Sequence, residues 1–249
     1  MRSPLAPAGL REILILTAVF GGTAAWAFYM VAAGYAWAWP IAILFMIVWL
    51  SGLAFFRDPE RQIPPGAEIM VAPADGKIVE TALLDQHPQI GGPATRISIF
   101  LSVFDVHINR SPCAGTVRSV DYTPGRFLDA RDPNSGTINE ANTVVIELDD
   151  PSAGPVVVRQ IAGLIARRIV CSVRPGDRVE TGQRIGLIKF GSRTELILPG
   201  KDLYQPTVAV GDKARGAVTI VARRMTPAEA EELAAQSSVH EIRPAGERQ

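Results

Sequence analysis

The chain has 249 residues, 47% of them hydrophobic and 20% charged, with 25 basic side chains against 25 acidic ones. That composition excludes a disordered or collagen-like chain. The charge balance argues against a general nucleic-acid binder, which needs a basic surface. Two cysteines, Cys113 and Cys171, are too few for a disulfide scaffold.

The hydrophobic excess is local. From Ile13 to Phe56 there are 44 residues without Asp, Glu, Lys or Arg, twice the roughly 20 that one membrane helix needs. The stretch divides into apolar runs at 13–33 and 37–56. Between them, Gly34 suits a helix end and Pro40 the first turn of the next helix. Tyr35, Trp37 and Trp39 resemble an interfacial aromatic belt. The pattern predicts a helical hairpin that crosses a membrane and returns. Burial in a protein core, or a position in one leaflet, is the alternative reading of the same residues. Arg2 and Arg11 precede the hairpin, Arg57 and Arg61 follow it, and the turn carries no positive charge. The positive-inside rule therefore sets both ends in the cytoplasm. Free thiols at Cys113 and Cys171 are compatible with that compartment.

From Arg57 the texture changes. Pro59, Pro64, Pro65 and Gly66 form a linker. Ten short Val- and Ile-rich runs follow, at 69–72, 77–81, 95–103, 115–122, 142–148, 156–161, 168–173, 184–189, 195–198 and 217–222, each bounded by Gly, Pro or Asp. They predict a mostly β domain, a sandwich or barrel, over 57–225. The glycine cadence from Val173 to Gly186 resembles biotinyl/lipoyl-type hairpins. No Met-Lys-Met-like tip accompanies it, which argues against a carrier domain. A short helix begins near Thr226-Pro227, and 226–249 reads as helix and tail.

Three residues stand out chemically. His107 follows the apolar run 97–104, a place for a base in one fixed tautomer or for a hydrogen-bonded structural histidine. Ser192 follows Gly191, and a glycine leaves the preceding carbonyl open to attack; an ordinary loop serine has the same spelling. Asp75 in Ala74-Asp75-Gly76 reads either as a turn aspartate or as the orienter of His107. No Cys/His cluster has zinc spacing and no glycine loop has a nucleotide fingerprint, so metal and nucleotide readings are disfavoured.

Taken in order, the motifs resemble the phosphatidylserine decarboxylase proenzyme family, in particular its short bacterial and archaeal type. They are Phe55-Phe56-Arg57-Asp58-Pro59, Ala72-Pro73-Ala74-Asp75-Gly76-Lys77, Phe104-Asp105-Val106-His107 and Tyr122-Thr123-Pro124-Gly125-Arg126-Phe127. Gln160-Ile161-Ala162-Gly163, Arg167-Arg168-Ile169-Val170, and the run from Gly182 to Pro199 around Phe190-Gly191-Ser192-Arg193 complete the set. The resemblance covers about residues 50–222 and rests on the ordered string.

It implies self-processing. Ser192 Oγ attacks the Gly191 carbonyl, with His107 as base and Asp75 holding His107. Elimination leaves a β chain, 1–191, and an α chain, 192–249, that begins with a pyruvoyl group made from Ser192. That covalent cofactor condenses with the substrate amine and acts as an electron sink. The implied reaction is decarboxylation of phosphatidylserine to phosphatidylethanolamine in phospholipid biosynthesis, at the inner membrane on its cytoplasmic side, with no metal. His107 is the implied proton donor afterwards. Two positions depart from the family pattern: Phe104, where longer members carry a second histidine, and Ala141, where an arginine is usual. The loop 121–142 is expected near the headgroup, and the resemblance leaves a homo-oligomer open. Two readings compete: a non-enzymatic membrane-anchored β-sandwich adaptor, and a serine hydrolase that never cuts itself.

Overall fold

The computed structural model describes residues 4–132, 134–164, 168–189, 191–200, 202–226 and 228–230. The expected helix from Thr226 and tail to 249, including His240, lie largely outside these residues, as do Arg167 and Phe190.

Two apolar helical spans come first, Pro7–Ala32 and Ala36–Phe55. The first contains α1 (Leu10–Leu16), a π turn at Thr17–Gly21 and α2 (Gly22–Ala32); the second contains α3 (Trp39–Phe55). At 1.5 Å per residue each is long enough to cross a hydrocarbon core about 30 Å thick. The helices meet through small side chains: Ala24, Ala27, Ala38 and Ala42 are fully covered. Trp49 Nε1 donates to Thr17 Oγ1 across the pair at 3.1 Å. Leu14, Ile15, Val19, Ile43, Leu44, Ile47 and Leu50 point outward and are exposed. Small residues inside and large apolar ones outside is the pattern of helices packed in lipid. Gly34 turns the chain at φ +94°, and Trp26, Tyr35 and Trp37 cluster at that end.

The rest of the described chain is mostly β. Its strands are β1 (Ile69–Val71), β2 (Gly76–His87), β3 (Gly92–Leu101), β4 (Ile108–Arg110), β5 (Gly115–Thr123), β6 (Ala141–Glu147), β7 (Pro155–Ile161), β8 (Ile169–Cys171), β9 (Arg178–Val179), β10 (Arg184–Ile188), β11 (Ser192–Pro199), β12 (Tyr204–Pro206), β13 (Lys213–Ala214) and β14 (Ile220–Arg224). One antiparallel sheet of eight strands has the order β13-β2-β3-β11-β7-β6-β5-β9; β1-β14-β12 and β4-β10-β8 form two smaller sheets. All ten expected strands are present, with shifted ends. The last begins at Ile220 rather than 217, because Ala217 sits at φ +62° in a turn.

Alternation builds the core. Ile97, Ile99 and Leu101, Val144 and Ile146, Val156 and Val158, and Leu196 and Leu198 face one buried cluster. Ala94, Val145, Val157 and Ile197 cover the opposite face. Ser192 and Thr194 continue the inward row of Leu196 and Leu198, so the strand period itself turns the Ser192 side chain inward.

The linker after the hairpin is fixed by charge. The Asp58 carboxylate is fully buried between Arg110 (2.7 Å) and Arg184. Removing Asp58 strands the buried Arg110 guanidinium without its carboxylate partner. Asp58→Ala should therefore lower stability by about 3–5 kcal/mol, measured as a shift in the denaturant midpoint of the detergent-solubilised protein. A change under about 1 kcal/mol, the size of a surface pair, would show that the cluster is effectively solvated.

Candidate active site

The site forms where four segments meet: the end of β10, the start of β11, the loop between β3 and β4, and the segment after β7. Gly191 links the first two at φ +57°, a conformation that glycine adopts without strain. Ser192 opens β11 opposite Leu101 and is completely buried. Its Oγ has no hydrogen-bond partner among the described residues. A buried hydroxyl without a partner costs free energy.

His107 is also completely buried, just before β4. Its Nε2 accepts the Gly191 N–H at 3.3 Å. Its Nδ1 lies 3.0 Å from the Asp105 carbonyl oxygen. A carbonyl only accepts, so Nδ1 carries the proton and Nε2 is the bare base. Asp105 is itself set by a tight turn: its carboxylate accepts from the Ser102 N–H (2.8 Å) and from Ser102 Oγ (2.7 Å). The Phe55 ring lies 4.3 Å from the imidazole. Burial, helped by the nearby Arg57 charge, pushes the His107 pKa down to about 4 against the partial support of Asp105. The imidazole is therefore neutral at pH 7, with Nε2 unprotonated.

Asp75 is placed differently from the sequence expectation. Its two carboxylate oxygens accept from Arg61 Nη2 at 2.9 and 2.7 Å, and one of them also accepts from the Gly216 N–H. The expected hydrogen bond to His107 is not made in this structure. A guanidinium is a stronger partner for a carboxylate than a neutral imidazole, and the Asp105 carbonyl reaches Nδ1 from two residues away. Asp75 stays nearby: it lines a cavity of about 540 Å³ with Arg57, Arg61, Arg215 and Val106, the residue before His107.

Gly163 completes the site from the β7 side. A methyl group on it would lie 2.1 Å from the Gly191 carbonyl oxygen. Nothing larger than hydrogen fits where this carbonyl points. Asn139 secures the neighbourhood, donating from Nδ2 to the carbonyls of Leu128 (2.9 Å) and Ala162 (2.8 Å). A chain of buried amides runs beside Ser192: Asn142 donates to Gln160, Gln160 to Asn109, and Asn109 to Thr194 Oγ1. Asn109, Asn142 and Gln160 stand inside or beside the family-like motifs, but sequence gave no sign of their mutual contact. Phe104, 83% exposed, and the exposed Leu164 flank the site, three residues before His107 and one after Gly163.

Comparison with known proteins gives this arrangement its context. The family model described as phosphatidylserine decarboxylase matches residues 52–222, most of the chain. The chain belongs to the phosphatidylserine decarboxylase family. A phosphatidylserine decarboxylase proenzyme from Nitratidesulfovibrio vulgaris is 45% identical over 186 residues, 75% of this chain and 83% of the relative. That from Solibacter usitatus is 47% identical over 196 residues, 78% and 90%. That from Rhodopirellula baltica is 42% identical over 222 residues, 88% of each chain. In this family member Gly191 and Ser192 fall at the break between β10 and β11, against a buried neutral histidine. Among the described residues no group of three or more His, Cys, Asp or Glu side chains is arranged to hold a metal ion.

The buried histidine makes a pH prediction. In the unfolded chain His107 titrates near its ordinary 6.5, but in the fold near 4. Between these values the unfolded state binds more protons, so stability falls as pH drops from about 6.5 to 4, by up to about 3 kcal/mol. Denaturation of wild type and His107→Gln across pH 4–7 reads it: the wild type should lose this stability and the variant should not. Equal slopes would contradict the buried neutral imidazole.

Proposed function

We propose that this chain is a self-processing decarboxylase for phosphatidylserine, converting it to phosphatidylethanolamine and carbon dioxide with a carbonyl group made from Ser192. The observation that carries the reading is the unpartnered, buried Ser192 Oγ one residue from the amide that His107 Nε2 holds. The sequence similarity to phosphatidylserine decarboxylase proenzymes supports the substrate.

The steps follow from the side chains. Ser192 Oγ gives its proton to His107 Nε2 and attacks the Gly191 carbonyl carbon. The Gly191–Ser192 C–N bond breaks, the proton passes to the departing nitrogen, and an ester joins Gly191 to the side chain of residue 192. Loss of the Cα proton and cleavage of the Cβ–O bond free the Gly191 carboxylate and leave a dehydroalanine, which water converts to a keto acyl group and ammonia. Asp105, through its carbonyl, keeps His107 in the tautomer this needs. Asp75 acts one shell out, fixing Arg61 beside the loop that carries His107.

The family implies a pyruvoyl group, and the site suits one: residue 192 is dry, covered and unpaired. Such a group supplies the electron sink that loss of carbon dioxide from an amino acid requires. His107 then lies where a proton is needed at the product carbon. Ser192 is wholly covered before cleavage, so cutting the chain is also what frees the segment over the site. The two apolar spans read as crossings, and the basic flanks set the β domain on the cytoplasmic side. The exposed Phe104 and Leu164 then face the lipid beside the site. A headgroup can reach residue 192 while its acyl chains stay in the bilayer, where each buried CH₂ is worth about 0.8 kcal/mol.

The test is cleavage and carbon dioxide release from vesicles of phosphatidylserine labelled in the serine carboxyl group. Wild type should give two fragments and release label. Ser192→Ala and His107→Ala should remain whole and silent, and Gly163→Ala should cut about a hundredfold more slowly as its methyl displaces the carbonyl. Label released by an uncut Ser192→Ala protein would overturn the reading.

A further inference from the structure

Within the first 56 residues Glu12 is the only acid. It lies in α1, at the start of the first apolar span, where an unpaired carboxylate would be costly. Its Oε1 is 2.6 Å from Lys189 Nζ, 177 residues away. Lys189 is itself covered, only 8% exposed. It follows β10 directly, its backbone N–H donates to the Arg168 carbonyl, and it stands two residues before Gly191. Arg168 is the other charge that acts on Glu12. The hairpin foot also meets the site through Phe55, whose ring packs on that of His107. Ile13, Phe55 and Phe56 share a cluster with Val106, Ile108 and Leu187, and Arg57 Nη2 donates to the Phe104 carbonyl at 2.6 Å.

The scissile segment thus has two tethers. On one side it continues into β11, which is locked in the large sheet. On the other it hangs from Lys189, whose side chain is gripped by the apolar helix. We infer that Glu12 and Lys189 are a positioning pair, through which the hairpin holds the Gly191–Ser192 peptide at His107. The hairpin is then one wall of the active site as well as an anchor. This rests on the self-processing reading above. Neither residue touches the reacting atoms: the pair acts by fixing the chain two residues upstream, where an error of about 1 Å costs a large factor in rate.

The test follows cleavage of full-length protein made by in vitro synthesis into lipid nanodiscs, for wild type, Glu12→Gln, Glu12→Lys, Lys189→Glu, Lys189→Arg and the Glu12→Lys/Lys189→Glu exchange. Unfolding temperature is measured in parallel on each variant in a Ser192→Ala background. Wild type should cut. Glu12→Gln, Glu12→Lys and Lys189→Glu should each cut at least about tenfold more slowly with little change in unfolding temperature. Lys189→Arg, which keeps the charge, and the exchange, which restores the pair, should return to within about threefold of wild type. Restored cleavage in the exchange supports the pair even where a single variant fails to fold. If wild type cuts and the Glu12 variants cut equally fast, or the exchange is no faster than Lys189→Glu, the pair is overturned while self-processing stands. Wild type that never cuts removes both.

Discussion

The structure turns on one constraint: the peptide between Gly191 and Ser192 is not free to relax. Its flanking amide is held by His107 Nε2, its carbonyl points at the bare Cα of Gly163, and its serine begins a strand paired with β3 along its length and with β7 from Arg193 to Ile197. Each hold comes from a different part of the chain. The loop after β3 supplies His107, the segment after β7 supplies Gly163, and β11 supplies Ser192. What this leaves unmet is the Ser192 hydroxyl, buried without a partner.

The sheet would also hold the fold together across a break there. β11 lies in the interior of the eight-stranded sheet, hydrogen-bonded to β3 along its full length and to β7 from Arg193 to Ile197. Just past Ser192, Arg193 bridges Glu80 (2.5 Å) and Glu195 (3.0 Å), and its guanidinium also reaches Ser98 Oγ. Burial pushes the Glu195 pKa upward, against the pull of Arg193. A new chain end at residue 192 would remain gripped by this ladder and network.

Much of this was legible in the sequence, for physical reasons. The 44-residue uncharged stretch could only be a hairpin of apolar helices. Runs such as Thr95–Leu101 and Val156–Ile161 carry enough Val and Ile to read as strands whatever their partners. β4, β9, β12 and β13 were not foreseen, because strands of two or three residues are specified by their neighbours rather than by their own composition. Asp75 was assigned to His107 because sequence order cannot reveal that Arg61 folds back onto it. The amide chain from Asn142 to Thr194 and the Glu12–Lys189 contact were invisible for the same reason: their partners meet only once the sheet is built.

The anchor, the cut and the reaction form one account. In the proposed function a lipid headgroup reaches a buried residue at the foot of an apolar hairpin, and a chain break there makes both the opening and the reactive group. The measurement that tests this most directly is the intact mass of the smaller fragment from purified protein, with fragmentation of its first residue. The account predicts residues 192–249 with a pyruvoyl group in place of Ser192. A fragment that begins with an ordinary serine, or the absence of any fragment from active protein, would contradict it.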